Sequence, residues 1–362
     1  MRGAACFFLT SIWAVTILAK EPAQTREDTA QFVGAIGCKS SSCHGGAGQR
    51  RDQYIIWSQK DFHTHAFAIL LDARSARIGE AVGITDPQAS ARCTTCHSPF
   101  QSVAQSRLAS TAHLDEGVSC ETCHGAAEPW LRGHTRTDWT YAMRVSAGMR
   151  DLKNLYVRAN ACVACHQNID SDILKAGHPM MFFELDSQST NEPKHWRDDD
   201  QIGPRSWLVG QAVALREISW ALARSPSTER NQLFDQQGAL VWLLDKTEFG
   251  GDLSSFNSFV GVQLRADEIA KQAEKWEPTN AAITSMLQTF ATTDSDFASR
   301  KDSSDFDFLR AARLVLAIER LSAALKMNET KELIALRHDV ARPYDFDPAH
   351  FSKDLRDFRN KL

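Results

Sequence analysis

Gly117-Val118-Ser119-Cys120-Glu121-Thr122-Cys123-His124-Gly125 is the stretch that decides how this chain is read. Two cysteines three residues apart, with a histidine directly after the second, match the sequence at which haem c is covalently attached. The thiols add to the porphyrin vinyl groups, and the histidine binds the iron. Working outward, the pattern recurs at Cys93-Thr-Thr-Cys96-His97 and at Cys162-Val-Ala-Cys165-His166. A stretched version, Cys38-Lys-Ser-Ser-Ser-Cys43-His44, has four residues between its cysteines. Structural zinc and disulfides compete for closely spaced cysteines, but neither needs a histidine after every second one. With 12 histidines in 362 residues, four such coincidences favour four haem c groups. The attachment residues are then Cys38, Cys43, Cys93, Cys96, Cys120, Cys123, Cys162 and Cys165, with His44, His97, His124 and His166 on the irons. At the stretched site Cys38 could be a spare thiol, leaving Cys43 as the single attachment point.

These eight cysteines leave one of the nine, Cys6, in an N-terminal apolar run from Ala4 to Ala19 that follows Arg2 and precedes Lys20-Glu21-Pro22. The run reads as a secretory signal or an uncleaved anchor over residues 1–22. Haem attachment normally takes place outside the cytoplasm, so both features point to export, into the periplasm or its equivalent. The formal net charge of −4 and the lack of a basic tract give no sign of nucleic acid as a partner.

Two regions are expected, in a mainly α chain. Residues 30–190 carry all four sites, too densely for much protein core, so helices and loops wrap stacked haems and little sheet forms. Tyr54 to Ile84 reads as helical. Residues 186–206 are polar, include the acidic run Asp198-Asp199-Asp200, and read as a linker or a surface loop. Residues 201–362 lack cysteine and read as a helical bundle. Leu208, Leu215, Ile218 and Leu222 recur at helical spacing, as do Leu314, Ile318, Leu321 and Leu325. Leu233–Leu244 and Val262–Trp276 are further helices, Gly250-Gly251 a break, and Ser304 with Asp307 a capping start. The tail from Pro343 packs back on the surface.

Eight histidines remain as second axial ligands: His63, His65, His113, His134, His178, His195, His338 and His350. A second imidazole makes the iron six-coordinate and suited to electron transfer, whereas its absence leaves a position for substrate. His195, His338 and His350 read as solvated. His63 and His65 diverge on a helix and would hardly serve one iron.

The stretch from Trp57 to Ala66, the later attachment runs, and above all the Gly117–Gly125 run with His134 after it, resemble the tetrahaem cytochrome c-554 family. That family is related in haem packing to hydroxylamine oxidoreductase and the multihaem nitrite reductases. The resemblance covers about residues 32–180 and implies a helical domain of closely stacked haem pairs that conducts electrons. It implies His65 as second ligand of the third iron, His134 of the first and His178 of the fourth. It leaves the second iron open unless His113 or His63 closes it. The expected function is an exported electron carrier working between redox partner proteins, or within a membrane-bound redox complex. A redox enzyme acting on a small nitrogen or sulfur species at the second haem is the alternative.

Overall fold

The computed structural model describes residues 29–48, 51–196, 203–226, 230–298 and 305–362. The N-terminal apolar run, the acidic run at 198–200 and Ser304 lie outside them. The fold is mainly α. Its one β feature among the described residues is an isolated bridge between Phe32 and Leu108. Among the described residues no helix is long and apolar enough to cross a membrane.

The half that carries the attachment runs is made of short helices. Tyr54–Ile84 is not one helix. Helix α1 (Gln53–Lys60) ends at Asp61, whose backbone is extended. A 3-10 turn then runs Phe62–His65, a short helix Ala66–Ile69, and helix α2 spans Ala73–Ala81. Asp61 accepts a hydrogen bond from the His63 backbone N–H, and Asp72 from that of Ser75. An aspartate that caps the next turn competes with continuation of the previous one.

Three attachment runs each close a helix: α3 (Ala91–His97), α4 (Cys120–His124) and α5 (Leu155–His166). Helical spacing puts the two cysteines at i and i+3 and the histidine at i+4 on one face. The stretched run starts at the end of a 3-10 turn, Ala35–Cys38. It then folds into a turn in which the His44 N–H reaches the Cys38 carbonyl at 3.2 Å.

The cysteine-free half is a bundle built on α7 (Pro204–Arg224), with α8 (Asn231–Asp245), α9 (Phe259–Glu274), α10 (Asn280–Ala291) and α11 (Asp305–Ala324) around it. Leu208, Leu215, Ile218, Leu222, Leu314, Ile318 and Leu321 are all fully buried, and Leu325 lies just past the end of α11. Each fully buried leucine or isoleucine contributes about 1.5–3 kcal/mol. Gly250 and Gly251 stand in the turn after α8. Helices α12 (Lys331–Asp339) and α13 (Pro348–Arg359) complete the tail, and Phe351, Leu355 and Phe358 seat α13 on the core.

The two halves share their core. Leu155, Ala159 and Val163 of α5 belong to the same buried cluster as α7 and α9. Tyr156 of α5 hydrogen-bonds Asp267 of α9 at 2.6 Å, and Arg216 of α7 joins the same carboxylate at 2.9 Å. A short helix, α6 (Leu185–Asn191), lies between the fourth attachment run and the bundle. Gly210 of α7 lets it approach, since a Cβ there would sit 2.8 Å from the Leu185 nitrogen. Ser206 of α7 and Arg320 of α11 hold its Asp186.

Candidate haem and iron ligand sites

The Gly117–Gly125 run is organised by backbone contacts. Gly117 has φ +71°, and a Cβ on it would lie 2.7 Å from the His63 carbonyl. The Val118 N–H donates to that carbonyl at 3.0 Å, and the Trp57 indole donates to the Val118 carbonyl at 3.0 Å. Glu121, between the two cysteines, is buried and accepts from the backbone N–H groups of Val33, Gly34 and Ala127 at 2.6–3.0 Å. Glycine, valine and glutamate thus fasten the third attachment run to the turn that carries His63 and to the strand-like segment before Cys38.

Each histidine of an attachment run faces one other histidine. The ring centres of His44 and His134 are 6.0 Å apart, those of His97 and His178 6.3 Å, those of His124 and His195 6.3 Å, and those of His166 and His63 6.0 Å. Two metal–imidazole bonds of about 2 Å, plus about 1 Å from each ring nitrogen to its ring centre, come to roughly 6 Å. The spacing therefore fits one iron held between each pair.

The surroundings fit as well. Trp130 packs edge-on to His134, and Trp196 to His195. Among the described residues, the indole nitrogens of both are buried without a hydrogen-bond partner, as is Arg144 Nε. Donors left in this way call for an acceptor, which the propionates of a haem would provide. Burial pushes His124 and His166 down to about 4, which keeps their rings neutral and able to bind iron. Neither group of three or more converging metal-ligand side chains among the described residues, Asp61/His63/Glu192 and Asp339/His350/Asp354, contains a cysteine. The cysteines are not gathered as a zinc centre would gather them.

Residues 37–125 match the family model described as cytochrome c554 and c-prime. This segment is of the cytochrome c554 family. No curated protein and no solved structure matches the chain at a significant level. A c-type cytochrome carries covalently bound haem c, works in electron transfer and exchanges electrons with partner proteins.

The structure brings the expected second ligands together in a different order. His134 stands opposite His44. His178 stands opposite His97 of the second site, not His166 of the fourth, so the second site has a histidine on both sides. His65 is exposed and forms no ring pair among the described residues, and His113 is exposed too. His63, two residues earlier than His65, faces His166, because the Asp61-capped turn points it toward α5. His195 faces His124, although its place in a polar linker suggests a solvated residue. The Asp-Phe-His sequence at 61–63 and the Trp beside His195 were the available signals for these two.

The Nδ1 atoms of the paired histidines are held in different ways. His44 meets Gln53 Oε1 at 2.8 Å, His97 the Ala66 carbonyl at 2.9 Å, and His178 the Pro179 carbonyl at 2.9 Å. His134 meets the Leu131 carbonyl, and His195 that of Pro193 at 3.4 Å. Gln188 of α6 stands 3.3 Å from His166 Nδ1 through its amide nitrogen, while its Oε1 is buried without a partner. An amide turned over would satisfy both. His63 Nδ1 lies 3.0 Å from the buried carboxylate of Asp61. That hydrogen bond raises His63 above the usual histidine range against the pull of burial.

Contacts between thiols show which sites adjoin. Cys38 of the first lies near enough to Cys120 of the third for the two thiols to perturb each other, and so does Cys96 of the second to Cys165 of the fourth. Cys123 of the third and Cys162 of the fourth are close enough to act on each other electrostatically, and burial pushes both thiols up to about 12.

Proposed function

We propose that the chain is an exported tetrahaem cytochrome that carries electrons through four six-coordinate irons. Haems would be attached at Cys38/Cys43, Cys93/Cys96, Cys120/Cys123 and Cys162/Cys165, with axial pairs His44/His134, His97/His178, His124/His195 and His166/His63. The observation that carries this reading is the set of four histidine pairs at one common spacing of 6.0–6.3 Å, each containing one attachment-run histidine.

Each haem supplies a one-electron iron couple. The protein's part is to hold two neutral imidazoles on each iron, so that little moves when an electron arrives, and to keep the groups adjacent. The proximity of the thiols supports an order of first, third, fourth, second site along the path. A histidine on both sides of the second site favours conduction over catalysis there, since a substrate would have to displace His178. The donor and acceptor are redox proteins, or a membrane complex, outside the cytoplasm, in keeping with the apolar N-terminal run.

The test is the mass and the ferric spectrum of the secreted protein. Four haems, all low-spin, are expected. Fewer haems, or a high-spin iron that binds nitric oxide, would sink this reading and revive the enzyme alternative at that iron.

A further inference from the structure

Among the described residues, seven of the eight histidines just paired have no carboxylate on Nδ1. Carbonyl or amide oxygens, or a reversible amide group, meet His44, His97, His134, His166, His178 and His195, and His124 meets no Nδ1 partner among the described residues. His63 alone has a carboxylate there, at 3.0 Å. Asp61 is 5% exposed, so water screens it little. The same carboxylate accepts the His63 backbone N–H at 2.9 Å, which fixes it to the turn that presents the ring. A second carboxylate, Glu192, has an oxygen within 4.8 Å of the ligand atoms of both Asp61 and His63. The charged groups acting on Asp61 are His63 and His195, while Arg158 acts on Glu192.

We propose that Asp61 is a positioning residue that makes the iron between His166 and His63 the lowest-potential iron of the four. This rests on the axial pairing proposed above. An imidazole whose Nδ1–H donates to a carboxylate is a stronger electron donor through Nε2 than one that donates to a neutral oxygen. A stronger donor stabilises ferric over ferrous iron, and the nearby negative charge of the carboxylates acts in the same direction. The proton stays on Nδ1 throughout, so the only change is one electron gained or lost at the iron. The fourth site adjoins both the second and the third. Its low potential therefore places an uphill step inside the path and divides it into a first–third pair and a second site, joined through the fourth.

The experiment is a potentiometric titration of the full-length holoprotein followed by electron paramagnetic resonance, for wild type, Asp61→Asn and Gln53→Glu. Asparagine keeps an oxygen in place for both the ring and the backbone N–H, so the turn stays capped. In Asp61→Asn one midpoint, the lowest, rises by tenfold or more in the redox equilibrium, about 59 mV for a one-electron couple. The other three move less, and all four irons stay low-spin. Gln53→Glu gives His44 the carboxylate that His63 has, and the midpoint of that iron falls. Four low-spin irons with no midpoint raised in Asp61→Asn would overturn the inference and leave the axial pairing intact. So would a lost haem or an altered fourth-iron signal in that variant without a raised midpoint, since that is what a merely structural aspartate would give. A high-spin iron in the wild-type protein would overturn the pairing, and the inference with it.

Discussion

Between Ala30 and Trp130 eight apolar residues are buried among those described, four of them alanines. Helix α7 alone, with 21 residues, buries nine. The two regions belong to one chain and are ordered by different means. In the bundle, apolar side chains pack against one another. In the attachment half, short turns are fastened by single polar clamps, such as Glu121 on three backbone N–H groups and Gln53 on His44. Clamps of this kind fix local geometry but remove little apolar surface from water, and a net hydrogen bond contributes only about 1 kcal/mol. Covalently bound haem, with its large apolar face, is the group that would add apolar mass to that half.

The sharpest way to break the contrast is to withhold the haem. With all eight attachment cysteines replaced by serine, residues 30–150 are expected to lose their fold and the bundle to keep its own. Limited proteolysis followed by mass analysis would show a protected fragment that starts near α5. Equal protection of both halves would show that the protein core holds the first half without haem. Next in size is Leu215→Ala, which removes a fully buried side chain from α7 and should cost about 2–5 kcal/mol in denaturant unfolding of the bundle.

Glu121→Ala comes third. It strands three backbone N–H groups and is expected to cost about 2–3 kcal/mol, with the loss appearing as faster hydrogen exchange at Val33, Gly34 and Ala127. A loss spread over the bundle instead would mean that the clamp is not local. The smallest effect concerns the seam between the halves. Burial works to raise Asp267, but hydrogen bonds from Lys271, Tyr156 and Arg216 outweigh it and hold the carboxyl down to about 2. The folded value lies below the ordinary one, so the tie contributes fully above about pH 4. It is lost as the pH falls through about 2. Asp267→Asn should cost about 2 kcal/mol at neutral pH and flatten that acid dependence, as read from thermal unfolding between pH 2 and 5.

The bundle was legible because its signal is distributed. Leu208, Leu215, Ile218 and Leu222 repeat at 3.6-residue spacing, and any one of them could be lost without losing the pattern. The broken run from Tyr54 to Ile84 was not, because two aspartates stop and restart the helix and each is a single-residue signal. The tail from Pro343 goes further than the surface position expected of it, because Phe351, Leu355 and Phe358 share one face of α13 and are buried in the core.

The ligand sets divide along the same line. Each attachment run and its histidine are adjacent in the chain, so local sequence alone marks the candidate attachment points and the histidine that would approach from one side. A second ligand has no such neighbour. It is one histidine arriving from a distant turn, and its partner depends on how that turn is aimed. His63 rather than His65 meets His166 because Asp61 caps the turn and Gly117 admits its backbone. His195 meets His124 because α6 is fastened to α7 and α11 by Asp186, Ser206 and Arg320. Those contacts join residues far apart in the chain, and only the tertiary structure brings them together.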